Sequence, residues 1–141
     1  MIIDYKNNKE FALANAVKPE NTYGEVYFSQ DKVVNDTTFC NFDHLCVEYT
    51  IFENCTFENC NTITFAYCQI KNCTFKNDCR IEGNRTSFYD CHFKECCSEG
   101  PFLLVDSYGP VKGCTFETIT TLGCQGYIIG RDMAKNTRLR R

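Results

Sequence analysis

The chain has no tryptophan and only two methionines in 141 residues, so its core volume must come from other side chains. It lacks a basic start followed by an apolar stretch: Met1-Ile2-Ile3-Asp4-Tyr5-Lys6-Asn7-Asn8 turns polar at once, which does not read as a secretory leader. It lacks any apolar run near the length of a membrane span, so no membrane partner is expected. It also lacks a phosphate-binding glycine loop and a paired Cys-x2-Cys knuckle, which removes the simplest signals for nucleotide or zinc chemistry. The expected location is cytoplasmic, where thiols stay reduced and cysteines need an explanation other than disulfides.

What the chain does have is 12 Cys, 12 Phe and 8 Tyr. With 43% hydrophobic and 23% charged residues it is an ordinary folded chain of one domain. Charge is unevenly placed. In residues 1 to 67 four lysines face ten carboxylates, whereas the last segment carries Arg131, Lys135, Arg138, Arg140 and Arg141 against Asp132. A nucleic-acid binder is usually basic over its folded body. This body is acidic, so direct nucleic-acid binding is not expected, and the basic end reads as a solvated tail.

Repeats organise the rest. Phe39, Phe57, Phe75 and Phe93 follow one another at 18 residues, and Phe116 follows at 23. Thr37, Cys55, Cys73, Cys91 and Cys114 precede them at the same intervals, as do Val34, Phe52, Ile70, Phe88 and Val111. Tyr49, Tyr67, Arg85, Tyr108 and Tyr127 close the units. Local alternation, as in Asn54-Cys55-Thr56-Phe57-Glu58, has a period of two and belongs to strands. Stacked coils of parallel strands would place like on like, with Phe39, Phe57, Phe75, Phe93 and Phe116 in one internal column and Cys55, Cys73, Cys91 and Cys114 in another. Cysteine suits that second column because it is small, apolar and readily buried. Thr38, Thr56, Thr74, His92 and Thr115 are expected outside.

A shorter rhythm of five runs through Cys40-Asn-Phe-Asp-His, Leu45-Cys-Val-Glu-Tyr, Thr50-Ile-Phe-Glu-Asn and Cys55-Thr-Phe-Glu-Asn. These stretches resemble pentapeptide-repeat proteins, which form square solenoids. Ile70-Lys-Asn-Cys-Thr-Phe-Lys-Asn77 resembles a rung of the right-handed parallel β-helix repeat family, and the 18-residue period favours that family because a square coil needs four fives. The resemblance implies an all-β, short right-handed parallel β-helix of five to six rungs with an N-terminal helical cap. Residues 1–31 read as the cap and first strand, 32–130 as the rungs, and 131–141 as the basic tail. The cap helix is expected at Asn8–Val17, with Asn8 as N-cap and Pro19 as its stop. Residues Cys97–Ser107 read as a loop bulging from one corner, Tyr127-Ile128-Ile129 as the start of a sixth rung, and the C-terminal end as a candidate homodimer surface.

No catalytic constellation survives inspection, so the chain is expected not to be an enzyme. The common cysteine spacing is Cys-x4-Cys, which repeat position explains without a metal or other cofactor; the least implausible ligand group is Cys96-Cys97 with His92. His44 near Cys40 and Cys46, and His92 beside Cys91, suggest a thiol nucleophile, but both imidazoles occupy outward slots while Cys91 points inward. The outward column Cys40, Glu58, Lys76, Lys94 and Glu117 alternates in sign, unlike the carboxylate pair of a glycosidase.

What remains is a rigid binding surface. Asp43, Glu48, Glu53 and Glu58 recur at steps of five on charged-outside positions. Pentapeptide-repeat solenoids include duplex-DNA mimics that bind topoisomerases, and small anti-CRISPR proteins of phages use a similar acidic decoy. The resemblance therefore implies an inhibitor acting on a basic, nucleic-acid-handling protein. A carbohydrate-directed or surface β-helix module is the alternative.

Overall fold

Three short strands and three corners make each turn of this chain. The computed structural model describes residues 1–14, 25–29, 33–77, 79–94, 102–105, 110–117, 126–129 and 138–140. With strands numbered along the chain, face A stacks β1 (Ile2–Asp4), β4 (Thr38–Cys40), β7 (Thr56–Glu58), β10 (Thr74–Lys76), β13 (His92–Lys94), β16 (Thr115–Glu117) and β18 (Arg138–Arg140). Face B stacks β2 (Glu25–Ser29), β5 (His44–Glu48), β8 (Thr62–Ala66) and β11 (Arg80–Asn84). Face C stacks β3 (Val33–Asn35), β6 (Ile51–Glu53), β9 (Gln69–Lys71), β12 (Ser87–Tyr89) and β15 (Val111–Lys112). Every pairing is parallel, for example Thr56↔Thr74, Phe57↔Phe75 and Glu58↔Lys76. The protein is a parallel β-solenoid of about four turns. Its coil has three sides where a pentapeptide coil would have four.

The interior follows from the period of two. On face A, Phe39, Phe57, Phe75 and Phe93 point inward, and consecutive rings stack at 5.1, 4.9 and 4.9 Å with interplanar angles of 7–8°. Face C contributes Phe52, Ile70, Phe88 and Val111, and face B contributes Val26, Leu45, Val47, Ile63, Phe65 and Ile81. Phe52 and Phe65 meet the Phe57 ring edge-on, at 5.3 and 5.5 Å. Each fully buried Phe is worth about 1.5–3 kcal/mol relative to exposure, and offset or edge-on contacts add roughly 0.5–1.5 kcal/mol per pair. The core needs no Trp because ring stacking along the axis replaces bulk. The side chain of Phe116 lies outside the described residues, while its backbone is in register with Phe93.

The corners explain the cysteines more fully than size does. Each described corner has a residue at positive φ, followed in most cases by a buried Cys or Thr: Asp36-Thr37, Tyr49-Thr50, Asn54-Cys55, Asn59-Cys60, Tyr67-Cys68, Asn72-Cys73, Arg85-Thr86, Asp90-Cys91 and Gly113-Cys114. The hydroxyl or thiol then donates to the carbonyl two residues back, as Thr50 Oγ1 does to Glu48 O at 2.9 Å and Cys68 Sγ to Ala66 O at 3.3 Å. The side chain thus fills the corner and adds a second donor to a carbonyl that in most cases already accepts a backbone N–H from the preceding rung, as Ala66 O does from Tyr49 at 3.0 Å. Asparagine tolerates positive φ better than most residues. It also forms ladders along the axis, with Asn59 Nδ2 donating to Asn41 Oδ1 at 2.9 Å and Asn72 Nδ2 to Asn54 Oδ1 at 2.6 Å. A Cβ at Gly113, where φ is +68°, would run into the Asp90 carboxylate.

The ends differ in part from the sequence reading. Residues 1–31 include two strands that already belong to the solenoid, since β1 pairs β4 and β2 pairs β5. Helix α1 (Lys9–Ala14) lies between them, and its expected continuation to Val17 falls among residues 15–24, outside the described residues. It begins where expected: the Asn8 carbonyl accepts the Ala12 N–H at 3.0 Å, and Ala12 is fully buried against the core. Within the expected corner loop, Phe102–Val105 instead forms strand β14, which lies alongside β11 and pairs in parallel with β17 (Gly126–Ile129). In the basic C-terminal segment, β18 pairs β16 and brings Leu139 level with Phe116.

Candidate functional site

The four outward carboxylates are the first candidates, and the winding of the coil separates them. Asp43 lies just before β5 and Glu48 at its end on face B, Glu53 ends β6 on face C, and Glu58 ends β7 on face A. They ring the perimeter of a single turn, with Asp43 and Glu48 at the two ends of one face B strand and Glu53 and Glu58 on the other two faces. Cationic or amide partners from adjacent rungs approach two of them: Lys76 Nζ lies 4.0 Å from Glu58 Oε2, Asn77 Nδ2 donates to Glu58 Oε1 at 2.9 Å, and Asn61 Nδ2 donates to Asp43 Oδ1 at 3.4 Å. Glu53 stands in register with Lys71. All four are partly or fully exposed, so they give an acidic belt interrupted by lysines.

The corner between faces B and C is unlike the other two. Where those corners place Asn, Asp or Gly at positive φ, this one has Tyr49, Tyr67 and Arg85, at φ of 52, 55 and 50°. A bulky side chain in the left-handed region costs on the order of 1–2 kcal/mol. The rings recover part of that by stacking: Tyr49 and Tyr67 lie 5.1 Å apart with planes at 11°, and the Arg85 guanidinium sits 5.6 Å from the Tyr67 centroid. Tyr49 and Tyr67 remain about half exposed, at 50% and 46%. Glu48 immediately precedes Tyr49, so the aromatic corner has a carboxylate at its edge. The repeat had put these three residues in one column, but the spacing alone could not show that they share a strained conformation.

Face B holds a third group. Register places Glu25 beside His44, and Cys46 between Tyr27 and Thr64. Because Leu45 and Val47 point inward, His44 and Cys46 point out. His44 Nδ1 lies 3.7 Å from Glu25 Oε2, Cys46 Sγ donates to that same oxygen at 3.7 Å, and His44 Nε2 lies 3.1 Å from Thr64 Oγ1. These residues line an open groove of about 310 Å³. Burial, reinforced by the Glu25 carboxylate, pushes the Cys46 thiol up to about 12, and burial likewise raises the Tyr27 phenol. A nucleophilic thiol needs the reverse, a neighbouring base or cation that lowers its pKa. The expected reason for discounting a thiol nucleophile was that Cys91 points inward; Cys46 shows a different obstacle, since it points outward onto a carboxylate.

The other candidates disperse. His92 lies on face A with Nδ1 2.6 Å from Thr115 Oγ1, and Cys91 is buried beneath it; Cys96 and Cys97 lie outside the described residues. Cys40 ends β4 near Asp4, where burial and that carboxylate push its thiol up to about 11. The nine described cysteines are free and buried. No helix among the described residues is long and apolar enough to cross a membrane. Compared with protein-family models, curated proteins and solved structures, the chain matches none.

Proposed function

We propose that this solenoid is a non-enzymatic binding module that engages a basic, nucleic-acid-handling protein and acts on it as an inhibitor or decoy. The exposed Tyr49–Tyr67 stack, continued by Arg85, carries this reading. A positive-φ corner would be more cheaply filled by Asn, and this protein uses Asn at most equivalent positions of its other corners. Retaining two half-exposed rings there, at a conformational cost, is better explained by a contact than by folding. The ring faces suit a guanidinium, as Arg85 demonstrates within the chain, and Glu48 adds negative charge at the same corner, with Glu53 at the far end of the strand that follows. An arginine-rich surface of the kind that handles nucleic acid meets both requirements. The acidic belt then steers approach, while the tyrosines supply the desolvated contact. Anti-CRISPR-like or topoisomerase-directed action is the finer form of this proposal, and it requires the decoy to occupy the partner's nucleic-acid site.

The same rings would stack on a sugar, which keeps the carbohydrate-directed reading as the competitor. A pull-down from a bacterial lysate with the full chain, read by mass spectrometry, separates the two. The expected result is a basic, nucleic-acid-handling protein released by moderate salt. Tyr49→Asn with Tyr67→Asn should then weaken binding at least tenfold while the circular dichroism spectrum holds, and Glu48→Gln, Glu53→Gln and Glu58→Gln together should flatten the salt dependence. Unchanged affinity in both variants, or a glycan as the sole captured ligand, overturns the proposal.

A further inference from the structure

Glu25, His44 and Cys46 come from two adjacent rungs, yet their ligand atoms lie within 4.8 Å of one another on an outward face. Such a meeting has a chemical shape. A zinc ion bonds sulfur at about 2.3 Å and nitrogen or oxygen at about 2.0–2.2 Å, so a tetrahedron around it sets neighbouring ligand atoms roughly 3.3–3.6 Å apart. The two separations that meet at Glu25 Oε2 are both 3.7 Å. We propose that Glu25, His44 and Cys46 form a binding site for a zinc-class divalent cation, which clips strand β2 to strand β5 and leaves a fourth position open to the groove.

Three observations besides the spacing of the ligand atoms support the assignment. One thiol, one imidazole and one carboxylate make a borderline-soft donor set, which selects zinc or a similar transition ion over calcium or magnesium. Thr64 from the next rung meets the other imidazole nitrogen at 3.1 Å. When Nε2–H donates to the Thr64 hydroxyl, Nδ1 keeps its lone pair toward Glu25 and Cys46, the usual outer hydrogen bond of a ligating histidine. Finally, the side chains of His44 and Glu25 are 31% and 23% exposed, enough for an ion to enter and too buried for two freely solvated charges.

The placement says what such an ion would do. In the sheet order of face B, β2 is the terminal strand, paired to β5 alone among the described residues. Parallel terminal strands are held by one ladder and fray first. A cation shared between Glu25 on β2 and His44 and Cys46 on β5 crosslinks that edge through side chains, outside the hydrogen-bonded ladder. Binding releases the thiol proton of Cys46 to solvent and leaves a thiolate on the metal, with no change of oxidation state.

The test uses the full chain freed of metal by a chelator, titrated with Zn(II) by calorimetry and with Co(II) as an optical probe. One equivalent of either ion should bind, with a thiolate-to-cobalt charge-transfer band, and zinc should slow amide hydrogen exchange across Glu25–Ser29 at least tenfold. Cys46→Ser should abolish the band, and His44→Gln should weaken zinc binding at least tenfold. If Cys46→Ser does not fold, His44→Gln with the exchange measurement makes the same decision. Absence of stoichiometric uptake by the wild-type chain, or an undiminished band and affinity in these variants, overturns the site and assigns any cobalt signal to the corner thiols.

Discussion

Phe57 and Phe75, 18 residues apart, lie ring on ring at 4.9 Å and within 8° of parallel, and both are fully buried. That single contact ties the sequence period to the axial rise of the coil, since parallel neighbours are spaced about 4.8 Å apart.

Phe75 has rings on both sides, Phe57 and Phe93, so its removal leaves a gap that neither neighbour can close without breaking register. Phe75→Ala should destabilise the protein by about 3–5 kcal/mol. Phe75→Asp, which buries an unpaired charge, should leave no cooperative transition. Urea unfolding followed by circular dichroism measures both, and a loss under about 1 kcal/mol for the alanine variant would show that the stack is not the core.

The corner donors make a ranking that hydrophobicity would not. Cys68 stands between Thr50 and Thr86 in one column, and all three donate to the carbonyl two residues back. Cys68→Thr should therefore stay close to wild type, while Cys68→Val, similar in size, should cost about 0.5–1.5 kcal/mol more than Thr, because the Ala66 carbonyl loses its side-chain donor and keeps only the Tyr49 N–H. Thermal melts of the two variants check the order. Val equal to Thr would reduce the column to a matter of volume.

Asp4 gives the N-terminal rung an acid sensitivity. Burial alone would raise its pKa, but hydrogen bonds from Asn41 Nδ2 at 3.0 Å and from the Asn7 backbone N–H at 2.9 Å and side chain at 2.8 Å outweigh it and hold the carboxyl well below the usual carboxylate range. A depressed folded-state pKa means the stabilisation is complete above the unfolded value of about 4 and is lost as pH falls toward the folded one. The melting temperature should drop as pH goes below about 4, and Asp4→Asn should flatten that part of the curve. Parallel curves for the two proteins would remove Asp4 from the acid response.

The stacking columns were legible from the sequence because a parallel coil repeats its side chains in register, so Phe39, Phe57 and Phe75 announce the fold by spacing alone. The number of sides was harder to read. Steps of five occur wherever a three-residue strand meets a two-residue corner, as from Glu48 to Glu53 to Glu58, but face B has five-residue strands, each entered through a three-residue corner such as residues 59–61, and this makes the turn 18 residues long. The same steps suggested a shared acidic surface, although each carries the chain round a corner to a new face. The Glu25–His44–Cys46 group was invisible for another reason: β2 and β5 are offset by 19 residues, one more than the offset between β5 and β8. A comparison of Val26-Tyr27-Phe28 with Leu45-Cys46-Val47 at that offset was the available signal. Positive φ at Tyr49 and Tyr67 left no trace in composition, because tyrosine is not a residue that turns attract.

Because every turn re-enters the same three corners, the molecule's length and its cross-section are set by different residues. The corner donors and inward rings fix the cross-section, and altering one disturbs the rungs on either side. Length is a matter of copy number: residues 56–73 make one full turn, after which Thr74 stands level with Thr56 on face A. A whole turn is therefore the natural unit by which this lineage could have grown or shrunk. Any surface that spans two rungs, such as the tyrosine corner, would be extended by duplication before a single new side chain had evolved.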